Sequence, residues 1–93
     1  MIYSVDATEI KNIENKSNII DIREPYELNS GYIEGAKNIP MGILLMDPDN
    51  YLEKDNTYYI ICQSGGRSGR ACMMLKDRGF DVVNVAGGMY SYR

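Results

Sequence analysis

The sequence predicts an α/β fold with a mainly parallel sheet, and two observations carry that prediction. Short β-type runs alternate with helical patterns along the whole chain, an order that favours strands joined by helical crossovers. Two of the runs, NIIDI at 18–22 and TYYII at 57–61, are almost continuously apolar, as central strands become when helices cover both faces.

The elements follow in order. IYSV at 2–5 opens as a strand. A first helix is expected from Asp6, with Asp6 as cap, Glu9 completing a capping box, Ile10 and Ile13 on a narrow apolar face, and an end near Asn15. NIIDI is the second strand. In REPYEL, Pro25 suits the first turn of a short helix that Ser30 and Gly31 end. KNIP at 37–40 is a third strand, and MGILLM at 41–46 a short helix stopped by the turn residues DPDN. TYYIIC at 57–62 is the fourth strand. The best helical pattern runs from about Arg67 to Arg78, with Ala71, Cys72, Met74 and Leu75 on its apolar side and Gly79 suited to the C-terminal cap. Of the adjacent Met73 and Met74, one is expected to face inward and one outward. DVVNV at 81–85 closes the set as a fifth strand.

At 93 residues the chain is expected to be one domain, residues 1–93, since a separate core takes about 50 to 150 residues. No apolar run approaches the roughly 20 residues of a membrane span, and the start lacks the basic-then-apolar order of a signal peptide, so a cytoplasmic protein with no membrane partner is expected. Net charge is −3 and the basic residues are scattered, which argues against nucleic acid as a partner. The chain has no histidine, which excludes Cys-His and Ser-His-Asp schemes and the commonest metal ligand. Its two cysteines, Cys62 and Cys72, match neither a zinc knuckle nor a CxxC redox pair, and no metal or cofactor is expected.

The chemistry concentrates in CQSGGRS, Cys62 to Ser68, between the fourth strand and the helix after it. Ligands of open α/β sheets bind just beyond the carboxyl ends of strands. Gly65 and Gly66 permit a tight turn in which backbone N–H groups converge on one point, reinforced by the helix start near Arg67. A thiol at the rim of such a cradle has a depressed pKa, and Arg67 adds a fork of donors for an oxyanion. Cys72, mid-helix beside Ala71, is better explained as a packed core residue than as a redox partner.

A thiolate in this loop supports two anion chemistries, phosphoryl transfer through a cysteinyl phosphate and sulfur transfer through a persulfide. Cysteine-dependent phosphatases resemble one another in placing five residues between cysteine and arginine. Here Gln63, Ser64, Gly65 and Gly66 intervene, one residue short. No convincing acid for a leaving alkoxide is present, although Asp47 and Asp49 remain available to a phosphatase or arsenate reductase reading. A smaller ring suits a single terminal sulfur atom.

IIDIREPYEL followed by GYIEGAKNIP, CQSGGRS followed by RACMMLKDRGF, and VVNVAGGM occur in an order and spacing that resembles the rhodanese family of sulfurtransferases over nearly the whole chain. The resemblance implies a five-stranded, mainly parallel rhodanese-like sheet flanked by helices on both faces. It implies Cys62 as the nucleophile that takes sulfane sulfur from a small donor such as thiosulfate and passes it to cyanide or to a thiol or protein acceptor. The backbone of Gln63, Ser64, Gly65, Gly66 and Arg67, with Ser68 closing the loop, would hold the persulfide, and Arg67 would help bind the anionic donor. A sulfur carrier that docks to another protein without steady turnover has the same motifs. Tyr32 stands where the family pattern usually has histidine, and Tyr92 where it commonly has tryptophan, with a very short last helix expected there. Asp21, Arg23 and Glu24 belong to a separate signature and read as a structural ion-pair and capping network. The eight tyrosines read as packing residues with a polar tip and the chain as a monomer; a role for an exposed Met41 or Met73 in an acceptor docking patch is the less favoured reading of those methionines.

Overall fold

The computed structural model describes residues 3–92. Five strands form one sheet: β1 (Tyr3–Asp6), β2 (Ile19–Asp21), β3 (Lys37–Asn38), β4 (Thr57–Ile61) and β5 (Asp81–Ala86), in the order β1-β5-β4-β2-β3. All four pairings are parallel, so the sheet is parallel throughout the described residues rather than mainly so. The part of the first expected strand that falls on Ile2 lies outside the described residues. β4 is the middle strand, between β2 and β5, which is why its side chains read as a continuous apolar run.

Side chains alternate across the sheet with period two. Ile20, Tyr58, Ile60, Cys62 and Val82 point to one face, where they pack with Leu44 of α1 (Met41–Met46) and with Ala71, Cys72 and Leu75 of α2 (Gly66–Asp77). Ile19, Ile61 and Val85 point to the other, against Ala7, Ile10 and Ile33, with Met89 of α3 (Gly88–Ser91) alongside. Both faces are therefore covered, and the core is two apolar layers separated by the sheet.

α2 ends as the sequence predicts. Gly79 takes a left-handed φ of +93°, its N–H donates to Lys76 O, and the Phe80 N–H donates to Leu75 O, a Schellman closure that carries Phe80 back onto Leu75. The apolar side of α2 is narrower than expected: Met73 is 60% and Met74 45% exposed, so neither faces inward. At 100° per residue Ser68, Ala71, Cys72 and Leu75 share one stripe, and both methionines fall on the opposite half of the helix.

The two early helices expected from the sequence are 3-10 helices, and a further 3-10 turn, Lys16–Asn18, lies between them. The first covers Ala7–Asn12, shorter than expected, and its cap bond runs from Thr8 N to Asp6 Oδ1 at 3.4 Å rather than through the predicted Asp6 and Glu9 box. The second covers Pro25–Ser30 and ends at Gly31, with φ +123°. α3 has four residues, as short as expected. No helix among the described residues is long and apolar enough to cross a membrane.

Candidate active site

Cys62 follows the last residue of β4, at the carboxyl edge of the sheet, and has no accessible surface. It therefore lies beneath the loop rather than at its rim. Gly65, with φ +101°, turns the chain so that its own N–H donates to Cys62 Sγ at 3.1 Å. A Cβ there would come within 3.2 Å of Gly87 N, so glycine serves both the turn and the close approach to the end of β5. The helix starts at Gly66, one residue before the expected position, and the Ser68 N–H also reaches Sγ, at 3.4 Å. Ser68 is buried, with Oγ 3.3 Å from Sγ and 2.5 Å from Asn84 Oδ1.

These contacts set the acidity of the thiol. Burial alone pushes the Cys62 pKa up, but the Ser68 hydroxyl and the backbone N–H groups of Ser68, Gly65 and Ser64 outweigh it and hold the thiol below its ordinary value. Cys72 has the burial without the donors. It is fully enclosed in the core, and burial, with the charge of Cys62 adding to it, pushes its pKa up to about 12.

Gln63 is held at two points. Its side-chain Oε1 accepts from Arg23 Nη1 at 3.0 Å, and its backbone carbonyl accepts from Tyr90 N at 3.0 Å. The neighbouring Cys62 carbonyl accepts from Met89 N at 2.9 Å, so the start of α3 is seated on the first two residues of the loop. A Cβ on Gly88 would lie 2.4 Å from Cys62 O and 2.6 Å from Gln63 O; the second glycine of the AGGM run lets α3 come this close. Ser64 is exposed at the lip of the loop.

Arg23 is completely buried, and all five of its N–H groups are used. Asp21 takes Nε and one Nη2 donor, the Gly31 carbonyl takes the other Nη2 donor, and the Glu27 carbonyl and Gln63 Oε1 take Nη1. Asp21 and Arg23 thus form an ion pair of 2.8 Å at the end of β2, and the Arg23 bond to Gln63 ties that pair to the loop after β4. Glu24 is exposed and is the N-cap of the 25–30 helix; its amide donates to Glu27 Oε2 at 2.8 Å, one arm of a capping box with Glu27.

Arg67 is placed differently from the expected donor clamp. Nη1 and Nη2 close as a fork on Oε2 and Oε1 of Glu27, both at 2.8 Å. The guanidinium holds the Glu27 carboxyl down at about 2, and the carboxylate in turn raises the arginine. Glu27 is one of three site residues that the sequence reading missed, because nothing local separates it from the other acids near it and its partner is 40 residues away. Asn84 and Gly88 are the others. Asn84 had a signal, a polar residue inside the apolar strand DVVNV that must find a buried partner.

Two acids weighed earlier do not reach the thiol. Asp49 lines an open polar cavity of about 460 Å³ with Asn18, Lys37 and Asn56, at the amino ends of β2, β3 and β4, opposite Cys62. Asp47 is exposed beyond the end of α1. Tyr32 is 63% exposed, and Met41 is half-buried against the core.

Comparison with known proteins agrees with this geometry. The family model described as Rhodanese-like domain matches residues 6–93. YqhL of Bacillus subtilis is 40% identical over 74 residues, covering 78% of this chain and 58% of its own, so this chain spans little more than half of that relative. The same organism's protein named "Putative sulfurtransferase YtwF" is 42% identical over 74 residues, 80% of this chain and 71% of that one. A crystal structure of a rhodanese-like domain protein from Staphylococcus aureus superposes with a TM-score of 0.87 at 39% identity, covering 99% of this chain and 92% of the other. A five-stranded parallel sheet, a cysteine loop at its carboxyl edge and a family match across almost every residue lead to one assignment: the chain belongs to the rhodanese-like domain family.

Proposed function

We propose that the chain is a sulfurtransferase that carries sulfane sulfur as a persulfide on Cys62. The observation that supports this most directly is the convergence of the Gly65 and Ser68 N–H groups on Cys62 Sγ. Fixed backbone dipoles of this kind stabilise a sulfur anion without a proton donor.

With thiosulfate as donor, the loop over the buried Cys62 moves aside and the thiolate attacks the outer sulfur. The new sulfur–sulfur bond forms as the bond to the sulfonate sulfur breaks, and the electron pair leaves with sulfite, an acidic and therefore good leaving group. The product is the Cys62 persulfide anion, so total charge is conserved. An acceptor thiolate or cyanide then attacks the terminal sulfur, and the bonding pair returns to Cys62 as thiolate. Neither step needs an external oxidant or reductant. Arg67, closed on Glu27, acts in this scheme by bracing the loop against the 25–30 segment rather than by gripping the donor.

The phosphatase reading lacks its acid. Of the carboxylates joined to the loop network, Glu27 is ionised at neutral pH and locked to Arg67, and Asp21 is locked to Arg23. Transfer from thiosulfate to cyanide or to dithiothreitol should proceed with the wild-type protein and stop in Cys62→Ser. Hydrolysis of an aryl phosphate that depends on Cys62, with no sulfur transfer, would overturn the proposal. A single-turnover release that is faster to a protein thiol than to cyanide, with negligible steady turnover, would identify a carrier rather than an enzyme.

A further inference from the structure

Ser68 has one hydroxyl proton and stands between two acceptors, Asn84 Oδ1 at 2.5 Å and Cys62 Sγ at 3.3 Å. An amide oxygen has no proton to give, so the proton in the Ser68–Asn84 bond is the serine's. The amide is oriented by the loop: Asn84 Nδ2 donates to the Gly65 carbonyl at 3.5 Å, and turning it over would set oxygen against oxygen. The proton order in the resting thiol follows. Cys62 donates to Ser68, and Ser68 donates to Asn84.

Deprotonation of Cys62 changes the competition. The Gly65 and Ser68 amides are fixed in the backbone and point at the sulfur in either state. The serine hydroxyl is the donor that can turn. We propose that Asn84 is a positioning residue for the nucleophile: it holds the Ser68 hydroxyl proton away from Cys62 in the resting thiol and competes for it once the sulfur is charged. Without that competition the loop makes Cys62 more acidic. A more acidic thiol is ionised more fully but attacks sulfur less well, because thiolate nucleophilicity falls with pKa. Asn84, buried on β5 beneath α2, thereby sets a balance between the two.

Other charged and titratable groups stand around the loop that holds the thiol. α2 brings Arg67 and Cys72, the end of β2 brings the Asp21 and Arg23 pair, and the 25–30 segment brings Glu27 behind Arg67. β5 meets this cluster with the uncharged Asn84. Their contributions are common to all variants of Asn84 and cancel in the comparison between them.

The proposal rests on Cys62 acting as the nucleophile, and it is tested without any sulfur donor, so its failure is distinct from a failure of sulfur transfer. The test is the pH dependence of iodoacetamide alkylation at Cys62, read by peptide mass so that Cys72 is scored separately. Asn84→Ala should move the midpoint down by about half to one pH unit, because the released hydroxyl turns to the thiolate. In a Ser68→Ala background, which itself raises the midpoint, Asn84→Ala should move nothing. The isosteric Asn84→Asp covers the case in which the alanine variant fails to fold: it should raise the midpoint, and by less when Ser68 is alanine. An unmoved or raised midpoint in Asn84→Ala, or shifts of equal size with and without the serine hydroxyl, would overturn the proposal.

Discussion

At the scale of single residues, the two cysteines separate one cause from another. Both are buried in the same apolar layer, yet one thiol is held below its ordinary pKa and the other pushed up to about 12. The difference is donors, which Cys62 has and Cys72 lacks. At pH 8, iodoacetamide should therefore label Cys62 in the folded protein, as the loop above it opens, well before Cys72 inside α2's packed stripe, with both labelled after denaturation; peptide mass mapping decides. Glu27 makes a separate prediction. Its folded pKa of about 2 lies below its ordinary 4.5, so its pairing with Arg67 contributes stability above about pH 4.5 that is lost as pH falls toward 2. Glu27→Gln should lower the urea midpoint at pH 7, and its deficit relative to wild type should shrink steadily between pH 4.5 and 2. A deficit that does not change with pH would show that the ion pair contributes nothing.

Among elements, the strands and α2 were legible because their signals are local. NIIDI and TYYII show double-sided burial directly, and Gly79 marks the close of α2, which ends at Asp77 with Arg78 as its cap. Met73 and Met74 were misread because an apolar residue in a helix says nothing about how wide a stripe its neighbours cover. Here the stripe is only Ser68, Ala71, Cys72 and Leu75. Leu75→Ala should cost about 2 to 5 kcal/mol by urea denaturation, while Met73→Ala should stay within about 0.5 kcal/mol. The seat of α3 was also hidden. Its amides bind carbonyls more than 25 residues back in the chain, and only the space around Gly88 makes that possible. Gly88→Ala would press a methyl group onto two backbone oxygens and should destabilise the protein by about 2 kcal/mol or more while displacing the loop, so that sulfur transfer falls along with the melting temperature.

The whole molecule works by gathering the carboxyl edge of the sheet. β2 ends in Asp21 and leads to Arg23, β4 leads directly into Cys62, and β5 carries Asn84 and runs through Gly87 into Gly88 at the start of α3. Arg23 ties the first of these to the second through Gln63, and every buried side-chain nitrogen and oxygen among the described residues has a hydrogen-bond partner. Arg23→Ala removes one half of a buried ion pair and should cost about 3 to 5 kcal/mol, a loss that lysine cannot restore because it lacks the five-donor fork. That the loop carried a thiol and a turn was readable from CQSGGRS. That its arginine is occupied was not, since the occupant comes from a distant segment. Whether Cys62 holds transferable sulfur is decided by intact-mass measurement after thiosulfate treatment. One added sulfur, removed by cyanide and absent in Cys62→Ser, is the predicted result; no added sulfur, or an added sulfur that persists in Cys62→Ser, would contradict it.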